Sequence, residues 1–176
     1  MNESKQTPYR GPTSDPKLYM GKNRPLRVYV AGASKEARRC RLMMEAVQRV
    51  GAVLTLDWLS EIEKEGAANE GLTHPKRQHY AAADMRAVLD ADLLFLLAPT
   101  LPSTGAWTEL GVALAANATR KRQIKIITAG DEVARSKSIF CSLGEEVEFD
   151  TQGIEMIIRY QQELGVHGLA HTGGKR

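Results

Sequence analysis

The sequence predicts an α/β protein built on a doubly wound, flavodoxin-like sheet of five parallel strands in the order 2-1-3-4-5, with helices on both faces. Three observations favour this fold. Short apolar segments alternate with amphipathic ones, which is typical of parallel strands joined by right-handed helical crossovers. Residues 93–98 are almost wholly apolar, as expected of a strand buried on both faces. Five short apolar segments of strand type occur along the chain.

The composition limits the class of protein. Hydrophobic residues make up 43% and charged residues 26% of the 176 residues, as in ordinary globular proteins. The N-terminus lacks an apolar signal core, no apolar run is long enough to span a bilayer, and Cys40 and Cys141 suit free thiols in a reducing compartment. We expect a cytoplasmic protein without a membrane partner. A net charge of only +3 does not favour a nucleic-acid polymer as partner.

One domain is expected between two polar tails. Residues 1–24 contain three prolines and two glycines among polar residues and are predicted to be a flexible arm. Residues 167–176 are rich in glycine and are predicted to be a flexible tail. Residues 25–166 then form a single domain, which is long enough to bury a sizeable core.

The first elements surround a glycine turn. The first strand covers residues 26–31 and ends at Gly32, and Ser34 is expected to cap a helix over residues 35–50. Gly51 ends that helix. The remaining predicted elements are, in order, a strand over 52–56, a short helix over 59–65, a polar loop over 66–75, a helix over 76–91, a strand over 93–98, a helix over 105–116, strands over 124–128 and 146–149, and a helix over 151–164.

The loops after Ala31 and Ala98 face each other at the predicted switch point of the sheet, where ligands bind in such folds. The first loop, A-G-A-S-K-E-A-R-R, combines a glycine with donors at a helix N-terminus. Gly32 allows close approach of a ligand, and Ser34, Lys35 and Arg38 are candidate phosphate ligands. The loop matches neither a Walker motif nor G-x-G-x-x-G, and an ordinary strand-to-helix turn explains it equally well.

Three side chains are candidates for catalysis. Glu109 lies at the predicted start of a helix, where a carboxylate should keep a low pKa and suit a nucleophile. Asp84 lies two turns before the sheet edge and can bind a sugar or protonate a leaving base. Tyr29 can extend its hydroxyl toward Glu109 or toward the sugar of a ligand. A helix cap, a solvated charge and a core tyrosine are the respective structural alternatives.

Other ionisable residues are assigned structural places. Asp90 and Asp92 flank the helix-to-strand junction at the amino edge of the sheet, away from the ligand side, and Asp92 is expected to stabilise that turn. The four histidines lack the spacing of a zinc site, and no cysteine joins them. We therefore expect neither a metal nor a cofactor.

The segments V-Y-V-A-G, L-T-L-D-W, D-M-R-A-V-L-D-A-D and P-T-L-P-S-T-G-A-W-T-E-L-G-V-A-L-A follow one another in the chain. Their order resembles the nucleoside 2-deoxyribosyltransferase-like superfamily, which includes deoxyribosyltransferases and nucleoside 5′-monophosphate N-glycosidases. The resemblance covers residues 26–128. It implies that Glu109 is a nucleophile forming a glycosyl-enzyme ester, that Asp84 assists sugar binding and base departure, and that Tyr29 and Gly32 line the site.

The resemblance also implies a nucleoside or nucleotide substrate and a homodimer or larger homo-oligomer, in which a neighbouring subunit completes the pocket. Pro99, Ser103, Gly105 and Trp107 are the further candidates for substrate binding. Trp58 and Trp107 can each stack on a base or pack in the core. Residues 59–78 form a longer and more polar segment than the family leads us to expect, and are interpreted as a lid or a base-selecting insertion.

Two alternative functions share the same crevice. One is a nucleotide-binding sensor that keeps the fold with little catalysis. The other is hydrolysis of a ribosylated signal such as NAD. Fold alone does not choose between these and an N-glycosidase or transferase.

Overall fold

A computed structural model of the protein describes residues 24–65, 72–119 and 123–163. The predicted tail, the predicted arm apart from Arg24, and residues 66–71 of the predicted polar loop lie outside the described residues. No described helix is long and apolar enough to cross a membrane.

The described residues form the predicted parallel sheet, in the strand order β2-β1-β3-β4-β5. The strands are β1 Arg27–Ala31, β2 Val53–Leu54, β3 Leu93–Leu97, β4 Lys125–Ala129 and β5 Glu145–Val147. The helices are α1 Ala37–Arg49, α2 Trp58–Glu65, α3 His74–Asp90, α4 Thr104–Thr119, α5 Glu132–Arg135 and α6 Asp150–Glu163. The sequence did not predict α5 or the 3-10 turn Ile139–Leu143.

β3 is the centre of the sheet, and all five of its residues are buried, as its apolar sequence predicts. Tyr29 of β1 is level with Leu94 of β3, and Ala31 is level with Leu96. Because the strands are parallel, β1 and β3 end side by side at the carboxyl edge of the sheet. This is the switch point at which the sequence predicts a ligand crevice.

Helices cover both faces of the sheet, as predicted. α1 packs beside α6 on one face, and α3 packs beside α4 on the other. α6 lies close to the sheet because it carries Gly153, where a Cβ atom would lie 2.3 Å from the ring of Phe95. The pair α3 and α4 covers the face toward which Tyr29 points, since the Tyr29 hydroxyl contacts residues of both helices.

The turn after β1 differs from the predicted capped helix. Residues Ser34–Glu36 form a 3-10 turn, and α1 begins only at Ala37. Ala33 precedes the turn, and no side chain caps it, so the expected Ser34 cap is wrong. The amide of Glu36 instead donates to the carbonyl oxygen of Ala33 at 2.8 Å. At the other end of α1, Gly51 adopts a φ of 85°, which confirms it as the predicted stop.

Asp92 stabilises the amino edge of the sheet, as predicted. Its carboxylate is 1% exposed and accepts hydrogen bonds from both terminal nitrogens of Arg24, at 2.8 and 2.7 Å. It also accepts one from the backbone amide of Arg27 at 2.9 Å. The residue therefore holds the chain that enters β1 against the start of β3.

Candidate active site

The structure brings the three candidate catalytic side chains together at the carboxyl edge of the sheet. The Tyr29 hydroxyl lies 2.8 Å from Oε1 of Glu109 and 3.2 Å from Oδ1 of Asp84. Each residue comes from a different element, namely β1, α3 and α4. The cluster thus depends on the packing of both helices on one face of the sheet.

One proton must be shared within this cluster. A tyrosine hydroxyl donates a single hydrogen bond, so it can bond to both carboxyl groups fully only if one of them carries a proton of its own. Burial raises the pKa of Glu109 to about 8, with a smaller contribution from the Asp84 charge and an opposing one from the Tyr29 hydrogen bond. Burial also raises the pKa of Asp84. At neutral pH the cluster therefore retains a carboxyl proton.

The expectation of a low pKa for Glu109 is wrong, and its position in the helix explains why. α4 begins at Thr104, which places Glu109 in the second turn, beyond the free amides of the helix start. The side chain points into the protein, and its Oε2 is buried without a hydrogen-bond partner among the described residues. Loss of hydration therefore outweighs the helix dipole.

Burial and the neighbouring negative charges also raise the pKa of Tyr29 far above its ordinary value, with burial the larger cause. The phenol accordingly stays protonated throughout the physiological range. It serves this cluster as a hydrogen-bonding bridge, and it does not ionise to act as a base.

A cavity of about 650 Å³ opens above Asp84 and Glu109, whereas Tyr29 is completely buried and does not line it, contrary to the expectation that it would. Its lining comes from the turn after β1, the segment after β2, one side of α2 and α3, and the start of α4. The lining residues are Gly32, Ser34, Lys35, Leu56, Trp58, Glu61, Ile62, His79, Tyr80, Ala83, Asp84, Pro102, Ser103, Thr104, Gly105 and Glu109. The volume is in the usual range for small-molecule sites.

Five of the predicted substrate-binding residues line this cavity, namely Gly32, Ser34, Lys35, Ser103 and Gly105. Gly32 is needed for close packing as well. A Cβ atom there would lie 2.5 Å from Sγ of Cys40 on α1.

The other three predicted residues, Arg38, Pro99 and Trp107, are not part of the lining. Arg38 is exposed and borders another, shallower depression, because the 3-10 turn changes the direction in which the start of α1 faces. Pro99 is buried, and its carbonyl oxygen accepts a hydrogen bond from Lys137 at 3.1 Å. Trp107 packs against the core. Trp58 lines the cavity instead.

Sequence reasoning placed Asp84, Trp58 and residues 59–78 near the site but did not name the other residues of α2 and α3 that line the cavity, namely Glu61, Ile62, His79, Tyr80 and Ala83. Two of these residues were detectable from spacing. Tyr80 precedes Asp84 by four residues and therefore shares its side of α3, and Ile62 follows Trp58 by four on α2. His79 matches no metal motif, but its ring packs edge-on against Tyr80 with the ring centres 5.6 Å apart.

Polar contacts fix this wall and the opposite loop. The Tyr80 hydroxyl donates to Oε1 of Glu65 at 2.9 Å, and Lys76 forms an ion pair with the same carboxylate, so α2 is tied to α3. Of the described parts of the predicted insertion, residues 59–65 contribute Glu61 and Ile62 to the cavity lining, and residues 72–78 contribute none. Among the residues that the structure describes, no group of three or more His, Cys, Asp or Glu side chains could hold a metal ion.

The loop between β3 and α4 is held from both sides. Thr100 donates through its hydroxyl to Glu36 at 2.7 Å, and Lys137 donates to the Thr100 carbonyl oxygen at 2.7 Å. Arg39 extends over the sheet edge to the Ala98 carbonyl oxygen at 3.0 Å. This network places Pro102 and Ser103 at the cavity.

Comparison with known proteins finds matches among solved structures. No model of a known family matches the sequence, and no curated protein matches it significantly. Among solved structures, the chain is similar to the CMP N-glycosidase BcmB of Clostridium botulinum, with a TM-score of 0.45 and 16% sequence identity. The match covers 76% of this chain and 98% of that one.

Proposed function

We propose that the protein cleaves the N-glycosidic bond of a nucleoside or nucleoside 5′-monophosphate through a covalent intermediate on Glu109. The observation that carries this proposal is the bridging of two carboxyl groups by one buried hydroxyl at the floor of a cavity. Since Glu109 and Asp84 both bond to the Tyr29 oxygen, their nearest oxygens lie within about 6 Å of each other. Such a spacing is nearer the ~5–5.5 Å of double-displacement glycosidases than the wider spacing that leaves room for an attacking water.

The shared proton gives each carboxyl group a role. A proton passes from Glu109 to the Tyr29 oxygen while the Tyr29 hydroxyl proton passes to Asp84. Glu109 is then an anion and Asp84 a neutral acid. Glu109 attacks C1′ of the sugar, the bond from C1′ to the base breaks, and the base nitrogen takes the proton of Asp84.

The second half of the reaction returns the enzyme to its starting state. Asp84, now ionised, takes a proton from water as the water oxygen attacks C1′ and breaks the ester to Glu109, and Tyr29 then passes the proton from Asp84 back to Glu109. If a second base binds in place of water, its ring nitrogen attacks C1′, gives its proton to Asp84 and breaks the ester to Glu109, and the product is a new nucleoside. Hydrolysis and transfer therefore use the same first step and differ in the acceptor.

The cavity lining suits the other parts of such a substrate. Ser34 and Lys35 lie on the 3-10 turn after β1, where a hydroxyl, an ammonium group and backbone amides are available to a 5′-phosphate. Trp58 and Tyr80 offer aromatic surface to a base. The resemblance to a family of oligomers leads us to propose a homo-oligomer as well, which light scattering would test.

A substrate panel tests the proposal. The protein is incubated with nucleosides and their 5′-monophosphates, with and without a second free base, and the products are separated by chromatography. We expect base release from at least one substrate, and loss of that release in Glu109→Gln. If no base is released while a nucleotide still raises the melting temperature, the sensor function replaces the enzymatic one. Release of nicotinamide from NAD would identify the third function instead.

A further inference from the structure

α2 forms the side of the cavity that lies opposite Glu109. It follows β2, whereas α4 with Glu109 follows β3, and β1 lies between these two strands in the sheet. The two helices therefore approach the cavity from opposite sides of β1. α2 presents Trp58, Glu61 and Ile62, which are spaced as i, i+3 and i+4 and so share one side of the helix.

Glu61 is the charged group on this wall. Trp58 is buried, and its indole nitrogen donates to the Val30 carbonyl oxygen at 2.8 Å, so its polar atom is occupied and its ring is fixed. Ile62 is apolar. Glu61 keeps 40% of its side chain exposed, and its Oε1 accepts from Lys64 at 2.7 Å. Lys64 itself does not line the cavity.

A carboxylate at this place can recognise only hydrogen-bond donors. An ionised glutamate accepts hydrogen bonds and donates none. The flat ring of Trp58 and the apolar side chain of Ile62 suit the face of a base, and Glu61 lies between them in the sequence of α2, where it can meet the edge of the base. The Lys64 contact occupies Oε1, while Oε2 accepts no hydrogen bond from any described residue.

The proposed reaction, on which this inference rests, directs the base toward that wall. A nucleophile displaces its leaving group from the opposite side of the reacting carbon. With Glu109 below C1′, the base therefore leaves on the side away from α4. That is the side on which α2 lies.

We infer that Glu61 selects the base, by accepting a hydrogen bond from an exocyclic amino group. The preferred substrates then carry cytosine or adenine, and their oxo counterparts, uracil and hypoxanthine, are disfavoured. An oxo group at the same position would bring two acceptors together and leave the carboxylate unpaired, which is the kind of contact that gives strong discrimination.

The test compares bases that carry an amino or an oxo group at the same position, and that also differ at the neighbouring ring nitrogen, which is an acceptor in the amino bases and an N–H donor in the oxo bases. The kcat/KM values for cytidine and uridine 5′-monophosphate, and for the adenine and hypoxanthine pair, are measured with the wild-type protein, Glu61→Gln and Lys64→Met. We expect the wild type to favour at least one amino-bearing base over its oxo counterpart by about tenfold or more. Glu61→Gln, whose amide both donates and accepts, should reduce that ratio to about threefold or less.

Lys64→Met is the matched control, since it removes the ion pair on α2 and leaves Glu61 in place. Its amino-to-oxo ratio should stay at or above that of the wild type. A wild type without preference, or a Glu61→Gln variant with the wild-type ratio, overturns the inference. Thermal melting of Glu61→Gln establishes that the variant is folded, as expected of an exposed and nearly isosteric change.

Binding separates this inference from the proposed reaction. Calorimetry in the Glu109→Gln background measures affinity for the same nucleotides without turnover. In one outcome, no variant releases any base, yet cytidine nucleotides bind more tightly than uridine nucleotides only in proteins that retain Glu61. The proposed reaction is then wrong, and base selection by Glu61 stands. In the other outcome, base is released, but neither the affinities nor the rates for amino and oxo bases change when Glu61 is replaced by Gln. The reaction then stands, and the inference about Glu61 is wrong.

Discussion

The hydroxyl of Tyr29 lies 2.8 Å from Oε1 of Glu109 and joins the central sheet to α4 at the floor of the cavity. Tyr29 is completely buried in β1, so its ring is fixed by the core. The sheet thereby sets the position of the carboxyl group that we propose as nucleophile. The same hydroxyl contacts Asp84, which makes the three groups one titrating unit.

Tyr29→Phe keeps the ring and removes both hydrogen bonds. Because the bond from Tyr29 lowers the pKa of Glu109, its loss should raise that pKa further above 8 and remove the path of the proton to Asp84. We expect kcat/KM to fall by about 10²-fold, and its decline at high pH, where the cluster loses its carboxyl proton, to move to higher pH. Tyr160→Phe is a suitable control, since it also removes a Tyr–Glu hydrogen bond, to Glu145, outside the cavity. An unchanged pH profile in Tyr29→Phe would contradict the bridging role.

Glu109 should make the protein less stable as the pH rises. Its pKa increases from an ordinary value of 4.5 to about 8 in the folded protein, with Tyr29 and Asp84 as the groups that face it. The stabilisation from the protonated folded form is complete below pH 4.5. It is lost as the pH rises through 8, because the unfolded chain has already released its proton.

Glu109→Gln should therefore gain stability over the wild type as the pH rises. We expect almost no difference near pH 4 and an advantage of a few kcal/mol near pH 9. Urea denaturation across this range measures the free energy of unfolding. Glu155→Gln, which changes an exposed carboxyl group on α6, serves as the control and should show no such trend. A difference that is independent of pH would exclude burial of Glu109 as the cause.

Asp84 and Asp92 should respond to mutation in opposite ways. Asp92→Ala leaves the Arg27 amide and the Arg24 side chain without their acceptor, so we expect a loss of about 2–4 kcal/mol with kcat/KM unchanged below the melting temperature. Asp84→Asn removes a charge that burial already disfavours. It should keep the stability and lose about 10²–10³-fold in kcat/KM. Calorimetry measures the stability of the two variants, and initial rates measure their kcat/KM. If Asp84→Asn instead loses stability and Asp92→Ala instead loses activity, the structural and catalytic roles belong to the other residue in each case.

Gly32→Ala should displace the turn that carries Ser34 and Lys35. The new Cβ atom would lie 2.5 Å from Sγ of Cys40, so we expect a loss of about 1–3 kcal/mol and a higher KM. The double variant Gly32→Ala/Cys40→Ala removes the clash and should recover part of both losses. In the control Gly111→Ala, the new methyl group meets nothing within 4 Å. Absence of recovery in the double variant would show that contact with Cys40 is not what requires a glycine.

The sequence was sufficient to predict the strand order of the sheet, because the patterns that mark buried strands and helix ends are local in the chain. An apolar run such as β3 indicates burial on both faces, and Gly51 indicates a helix end by its backbone conformation alone. The meeting of Tyr29, Asp84 and Glu109 was also predictable, since the strand order places their elements around one crevice. The motif resemblance made the same assignment.

The sequence did not predict properties that depend on how elements turn and pack. The short 3-10 turn before α1 changes the direction of Arg38, and nothing in the residues themselves marks it. The raised pKa of Glu109 follows from the packing of α4 on β1 and α3, which no single helix reveals. The two tryptophans illustrate the same limit, since composition could not tell that Trp58 lines the cavity while Trp107 packs against the core.

The most direct test of the central claim is intact-protein mass spectrometry of a trapped intermediate. A substrate with fluorine at C2′ of the sugar destabilises the positively charged transition states, so the ester accumulates once the base has left. We expect a mass increase equal to one fluorinated sugar, or sugar phosphate, located by peptide mapping to Glu109 and absent in Glu109→Gln. Base release by the wild type without any adduct, together with full activity of Glu109→Gln, would contradict the account.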